Sequence, residues 1–512
     1  MARAGKVYLI GGGPGDPELV TVRAVRCLGR ADVVLYDALV HPDLLKHCRP
    51  DAERIFVGKR AGKPHERQAS INERLLQAAL AGHIVARLKG GDPYLFGRGS
   101  EEAEALAAAG IEFEVVPGVP SPSAATAYAG ISLTHRDLSS SVAYVTGAES
   151  PDKAESVHDW SRLATATQTL VIFMGMRKLD VLMRTLVDNG RSAETPVAVI
   201  QWASTPRQRT VVGTVGDIAN KVRAAGLSMP ALTVVGEVVQ LRQRLRWYDT
   251  QPLFGKRVLV TRAVEQADSF AQALREAGAE AIELPMIRIT PPERPAALRA
   301  AVGKLHGYQW LLFTSQNGVD RFFEELHADG GDSRRLGGLR VAAIGPSTAE
   351  ALAPYGIVAD LVPHTFRGEA LAEQVLAQHP EGLSGVAVLL PRAAVARDVL
   401  PETLRAAGAR VDVVEAYRTV GPSDETAAQL RDLLEKRALD VVTFTSSSTV
   451  THTLQVLGPD AARLLAGVTL ASIGPITTQT AQEHGLLVNV TAKEYTIDGL
   501  TQALKRYFSE SV

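Results

Sequence analysis

The 512-residue chain has only two cysteines, Cys27 and Cys48, and their spacing matches no metal-ligand pattern. A disulfide framework and a structural zinc site are therefore not expected. No apolar run approaches the ~18 residues of a membrane span, and a strand pattern over 6–10 leaves no room for a signal peptide. These absences predict a cytoplasmic protein with no membrane partner. An excess of charge is missing as well: 55 Lys+Arg against 56 Asp+Glu give a net charge of −1. No global field then argues for nucleic acid. Any anionic ligand must be met by local cations.

What is present is ordinary for a folded protein, with 46% hydrophobic and 22% charged residues. The length predicts about three or four folded units. Strand patterns at 143–146, 169–174, 197–201 and 231–235 alternate with helical ones, which is the mark of an α/β architecture.

Several glycine-rich loops follow apolar strands. Residues 11–17 read Gly-Gly-Gly-Pro-Gly-Asp-Pro, and 87–99 read Arg-Leu-Lys-Gly-Gly-Asp-Pro-Tyr-Leu-Phe-Gly-Arg-Gly. A residue without Cβ lets backbone approach a ligand closely, although a tight turn alone needs the same residue. Pro14 removes a donor from the first loop and weighs against a dinucleotide site. Ser100 is placed to cap a helix whose first turn carries Glu101 and Glu102. Asp37 ends a strand pattern, so its carboxylate either lies on a ligand-binding edge or caps the next turn. Lys59, Arg60, Lys63 and Arg67 form a cationic loop, either a solvated face or a grip for a polycarboxylate.

The second half repeats itself. Arg262 follows Val-Leu-Val-Thr as Arg392 follows Val-Leu-Leu-Pro; 313–315 and 444–446 both read Phe-Thr-Ser; 344–346 and 473–475 both read Ile-Gly-Pro. The offsets agree to within two residues, which predicts two similar lobes. Thr-Ser and Gly-Pro ends present hydroxyls and backbone N–H groups suited to carboxylates, or serve only as caps and turns.

The ordered motifs at 11–17, 31–37 (Ala-Asp-Val-Val-Leu-Tyr-Asp), 57–60 (Val-Gly-Lys-Arg), 87–99, 115–119 (Val-Val-Pro-Gly-Val) and 129–136 (Ala-Gly-Ile-Ser-Leu-Thr-His-Arg) resemble the uroporphyrinogen-III C-methyltransferases of the tetrapyrrole methylase family. The resemblance covers roughly residues 5–247. It implies two α/β lobes, S-adenosyl-L-methionine as cofactor, a small-molecule tetrapyrrole substrate, a homodimer through this half and no metal. By correspondence it assigns a base role to Asp37 and a donor role to Lys59, with Arg60 and Lys63 toward substrate. Cofactor contacts fall on Pro14, Gly90, Gly91, Asp92, Leu95, Pro120, Ser121, Met174, Ala203 and Ala231. Tyr94 stands where Phe is common, and Pro120-Ser121-Pro122 replaces the more usual Thr-Ser-Ala.

The repeat, Tyr417-Arg418-Thr419 and 471–475 (Ala-Ser-Ile-Gly-Pro) resemble the uroporphyrinogen-III synthases over roughly 254–508. This implies two α/β lobes joined by a two-stranded ladder, drawn here from 282–289 and 411–417. Tyr417 matches the residue that assists the leaving hydroxyl; Thr261, Ser446, Ser448 and Thr477 are the cleft hydroxyls it implies. Ile476 stands where a hydroxyl residue is frequent.

The expected organisation is a methyltransferase domain at 1–247 (lobes about 1–118 and 119–247) and a linker at 248–254. A synthase domain at 255–512 follows (lobes about 255–288 plus 419–512, and 289–418). The expected function is ring closure of hydroxymethylbilane to uroporphyrinogen III, then methylation at C2 and C7 to precorrin-2. The alternative is a methylase of another substrate carrying a non-catalytic C-terminal binding module.

Overall fold

A computed structural model describes residues 5–58, 68–148 and 158–510. The chain divides into two compact units, Met1–Gly255 with Ala277–Glu280, and Lys256–Glu276 with Ala281–Val512. Among the described residues there are four five-stranded sheets, two mainly in each unit.

The first sheet is all parallel: Lys6–Gly11 (β1), Val33–Tyr36 (β2), Glu53–Phe56 (β3), Val85–Lys89 (β4) and Glu112–Val116 (β5), in the order β3-β2-β4-β1-β5. Its short apolar strands are covered on both sides, as parallel sheets require. Val7 and Leu9 pack against the helices Gln68–Leu80 and Gly99–Ala108. Tyr8 and Ile10 point the other way, onto Ala24, Cys27 and Leu28 of the helix Val22–Leu28. The connections leaving the neighbours β1 and β4 therefore run over opposite faces, and a crevice opens at their carboxyl ends.

The second sheet comprises Val142–Thr146 (β6), Thr169–Phe173 (β7), Pro196–Gln201 (β8), Arg209–Thr214 (β9) and Ala231–Val235 (β10), ordered β6-β7-β10-β8-β9. It is mixed: β6 and β7 are parallel, while β10 runs antiparallel to both β7 and β8, and β8 to β9. Sequence periodicity did not mark β9, whose half-exposed residues lack a continuous apolar run.

In the second unit, Arg257–Val260 (β11) and Glu280–Glu283 (β12) join one sheet, and Arg288–Thr290 (β13), Trp310–Phe313 (β14), Arg340–Ala343 (β15), Ala387–Ala393 (β16) and Arg410–Val420 (β17) form the other. The chain then returns to complete the first with Val441–Phe444 (β18), Thr469–Ser472 (β19) and Val490–Thr491 (β20). The orders are β12-β11-β18-β19-β20 and β13-β17-β16-β14-β15. The internal repeat thus lands on equivalent strands: the Phe-Thr-Ser motifs close β14 and β18, and the Ile-Gly-Pro motifs follow β15 and β19. Trp310 and Leu312 face one core, Leu311 and Phe313 the other.

The ladder is shorter than expected and lies further along the chain. Arg288, Ile289 and Thr290 pair antiparallel with Val420, Thr419 and Arg418. Residues 411–417 instead run parallel to β16. Leu284 and Met286 are drawn into the core beneath β11 and β18, and Pro285 between them has no N–H to give a ladder.

Candidate active sites

In the first unit three loops converge at the carboxyl ends of β1, β4 and β5. Gly13 and Gly91 form an antiparallel bridge, with Gly91 N–H donating to Gly13 O at 2.7 Å. Asp92 ties the third loop in: one carboxylate oxygen accepts from Tyr94 N–H at 2.8 Å and the other from Gly118 N–H at 3.0 Å. Gly11, Gly91 and Gly118 touch directly, and a Cβ built on Gly11 would lie 2.5 Å from Gly118 Cα. Glycine is needed here for backbone packing as much as for a ligand. At Gly91 (φ +73°) the Cβ direction is open, the nearest atom being Ser121 N at 4.0 Å.

The second sheet brings its own edge to this mouth. Phe173, just before Met174, pairs with Leu232, while Ala231 pairs with Gln201 two residues before Ala203. The 11–17 loop reaches this edge, where Asp16 N–H donates to Ser204 Oγ at 3.2 Å and Tyr128 Oη to Asp16 at 2.6 Å. The Phe96 and Phe173 rings meet at 4.6 Å, joining the loop after β4 to the end of β7. Phe96, Arg98, Met174, Trp202 and Ser204 all have positive φ, and Arg437 is the other described non-glycine residue that does. Such backbone gathers where surrounding structure holds a functional loop in place. Gly91, Asp92 and Ser121 thus come together where these loops meet. Met174, Ala203 and Ala231 lie at strand ends of the second sheet, and Pro14, Gly90, Leu95 and Pro120 lie in the loop segments between these elements. Lys59, Arg60 and Lys63 lie outside the described residues.

Asp37 stands at the end of β2 as a partner of Arg87, whose Nη2 donates to Asp37 Oδ1 at 2.7 Å. Arg87 Nε and Lys89 Nζ both reach Glu102 Oε1, at 3.0 and 2.9 Å. Arg87, Lys89 and Glu102 are buried. Burial works against the Arg87 charge, yet Glu102 and Asp37 hold its pKa above the usual value. Burial, joined by the nearby Arg87 charge, pushes the Lys89 ammonium below its usual range against the pull of Glu102. Glu102 Oε2 has no hydrogen-bond partner among the described residues. Glu101 and Glu102 lie in the first turn of Gly99–Ala108 as expected, and Glu102 there also holds the two buried cations. Ser100 is no cap: the helix begins after Arg98, held in the left-handed region. An apolar strand carrying Arg and Lys two apart was the available signal, because such side chains are buried only when paired.

In the second unit Tyr417 is buried, and its hydroxyl lies 2.9 Å from Ser315 Oγ. Burial raises its pKa, while hydrogen bonds with Ser315 and Asn317 act in the opposite sense. Ser446 accepts from Thr449 N–H at 3.3 Å and caps the helix Ser447–Leu457; Ser448 lies in its first turn. Thr477 sits buried in the first turn of Pro475–Glu483, after β19. Since β18 and β19 are parallel neighbours, these three residues share one sheet edge. Thr261 is a correction. It is completely buried and donates its hydroxyl to Thr443 O at 2.6 Å, across the β11–β18 seam. In this position it serves the sheet and offers nothing to a cleft.

Among the described residues no group of three or more His, Cys, Asp or Glu is placed to hold a metal, and no helix is long and apolar enough to cross a membrane.

Comparison with known proteins agrees with the division into two units. A family model described as tetrapyrrole (corrin/porphyrin) methylases matches residues 6–219, and one described as uroporphyrinogen-III synthase HemD matches residues 268–502. The chain is 36% identical over 500 residues to a porphyrin biosynthesis protein HemD of Ruminiclostridium josui, covering 98% of this chain and 97% of that protein. It is 41% identical over 337 residues to a uroporphyrinogen-III C-methyltransferase of Bacillus subtilis, covering 66% of this chain and 69% of the relative. A solved structure of uroporphyrin-III C-methyl transferase from Thermus thermophilus, complexed with S-adenyl homocysteine, is 39% identical. That match covers 46% of this chain and 94% of the other, at a TM-score of 0.40.

Proposed function

Because the chain belongs to the tetrapyrrole methylases through its first unit and to the uroporphyrinogen-III synthases through its second, we propose that it carries out two consecutive steps of tetrapyrrole synthesis. The second unit closes hydroxymethylbilane to uroporphyrinogen III with inversion of ring D. The first then transfers two methyl groups from S-adenosyl-L-methionine to C2 and C7, giving precorrin-2. The observation that carries this reading is the pairing itself: one unit makes the substrate of the other.

The residues of the first mouth fit such a methyl donor. Gly91 leaves room for an approaching ligand beside Ser121 N. Asp92, fixed by two backbone N–H groups, presents a stiff wall. Bound there, the donor supplies a methyl group on a sulfonium, and in-line transfer to a pyrrole carbon needs alignment. Asp37 is the group that would take the macrocycle proton, held in orientation by Arg87. In the second unit Tyr417, whose pKa burial raises above the ordinary phenol value, is a protonated phenol at neutral pH, able to donate toward the departing hydroxyl. Folding of the flexible bilane across the cleft supplies the rest. The same reading implies a cytoplasmic homodimer through the first unit.

Purified chain given hydroxymethylbilane and S-adenosyl-L-methionine should yield a product two methyl groups heavier than uroporphyrinogen III, with precorrin-2 absorbance. Uroporphyrinogen III supplied directly should give the same product. If hydroxymethylbilane closes only to the type I isomer while supplied uroporphyrinogen III is still methylated, the second unit is a binding module. If neither substrate is methylated, the methylase acts elsewhere.

A further inference from the structure

Arg262 leaves the end of β11 at a half-buried position. Its Nε donates to Gln266 Oε1 at 3.0 Å and its Nη2 to Gln316 Oε1 at 3.3 Å. Both partners are neutral amides. Burial lowers its pKa with no described carboxylate to oppose the effect. The buried cations of the first unit's network have acid partners, Arg87 with Asp37 and Glu102 and Lys89 with Glu102, whereas half-buried Arg191 and Arg431 each donate to a backbone carbonyl, of Thr167 and Val456. Arg392, at the equivalent point of the internal repeat, has Asp398. A guanidinium taken partly out of water without an anion is costly. It also has more N–H donors than these two contacts use.

The surroundings of Arg262 lead directly to Tyr417. Gln266, on the helix Val264–Glu276, donates from Nε2 to Asn317 Oδ1 at 3.0 Å. Asn317 is near enough to Tyr417 to act on its phenol against the effect of burial, and Tyr417 Oη lies 2.9 Å from Ser315 Oγ. Gln316 is anchored from its other side, its Nε2 donating to Ser347 O at 3.2 Å. Side chains of both lobes of this unit therefore form one polar chain, from an anion-deficient guanidinium to a buried phenol.

We propose that Arg262 is a carboxylate receptor that seats one acidic side arm of the substrate, and that Gln266, Gln316 and Asn317 set the distance from that arm to Tyr417. The ligand class is a carboxylate, for which the planar fork of arginine is well shaped. Assignment of that carboxylate to the bilane rests on the synthase reading above. Arg262 acts here in binding and Tyr417 in the chemical step.

Two measurements on the full chain test this. In a fluorescence titration with uroporphyrin III, an octacarboxylate that both units would take, Arg262→Gln should weaken one of two binding phases about tenfold, the scale of one charge-assisted contact. Arg262→Lys should fall between the two. In turnover of hydroxymethylbilane, Arg262→Gln should raise KM by a similar factor with kcat little changed, whereas Tyr417→Phe should lower kcat. Thermal unfolding of both Arg262 variants establishes that they are folded. Uroporphyrin binding by Arg262→Gln equal to wild type overturns the receptor, as does a loss of kcat at unchanged KM. A wild-type chain that binds uroporphyrin through Arg262 but makes no type III isomer overturns the synthase reading and leaves the receptor standing.

Discussion

Arg87 Nη2 and Asp37 Oδ1 lie 2.7 Å apart, joining a guanidinium that is 2% exposed to a carboxylate that is 27% exposed. The cation is anchored from behind by Glu102, so Asp37 is the half of the pair that faces outward. A carboxylate held this way has a set direction and keeps its outer lone pairs available for a proton on a bound substrate.

Asp37→Ala should therefore lower methyl transfer by about a hundredfold, within the usual contribution of a positioned acid or base. Affinity for S-adenosylhomocysteine, measured by calorimetry, should stay near wild type. If binding weakens as much as turnover, Asp37 belongs to the cofactor wall.

The three touching glycines give a different kind of test. A Cβ at Gly118 would run into Gly91 O and Gly11 Cα. Gly118→Ala has to push apart the loops after β1, β4 and β5, at about 1–3 kcal/mol if overpacking is the guide. The expected result is a lower melting temperature of the first unit and weaker S-adenosylhomocysteine binding. A variant that loses neither would mean that the loops give way freely.

Tyr308 carries a pH prediction in the second unit. Burial, aided by its 2.8 Å hydrogen bond to Asp412, pushes the phenol up to about 12 from the ordinary tyrosine value of 10.0. Between those values the unfolded chain loses this proton while the folded chain keeps it. Stability from this group is complete below pH 10 and declines as pH rises toward 12. Alkaline unfolding followed by circular dichroism should show that decline, and Tyr308→Phe should flatten it. An identical slope in the variant would show that the phenol titrates normally.

Much of the architecture was legible before any fold was available. Strand 231–235 is recognisable from its apolar run alone, and the β1, β4 and β5 loops from their glycines, because these signals are local. The internal repeat anticipated equivalent strands in two lobes, since a shift of about 130 residues carries the whole strand-and-cap unit with it. The ladder was misplaced because residues 411–417 have the same pattern whether their neighbour is parallel β16 or an antiparallel partner.

The sequence by itself determined the α/β class, the placing of glycines at strand ends, and the chemical families to which the two halves belong, all carried by short-range order along the chain. Only the tertiary structure decided which polar groups are enclosed and which are left to act. Glu102 reads as a first-turn helix acid and is in addition buried against two cations; Thr261 reads as a cleft hydroxyl and is bonded across a sheet seam. Arg262 and Arg392 stand at matching points of the repeat, yet one has an acid partner and the other has only amides. The difference comes from residues distant in sequence that packing brings alongside, and burial with its partners sets how strongly each charge is felt.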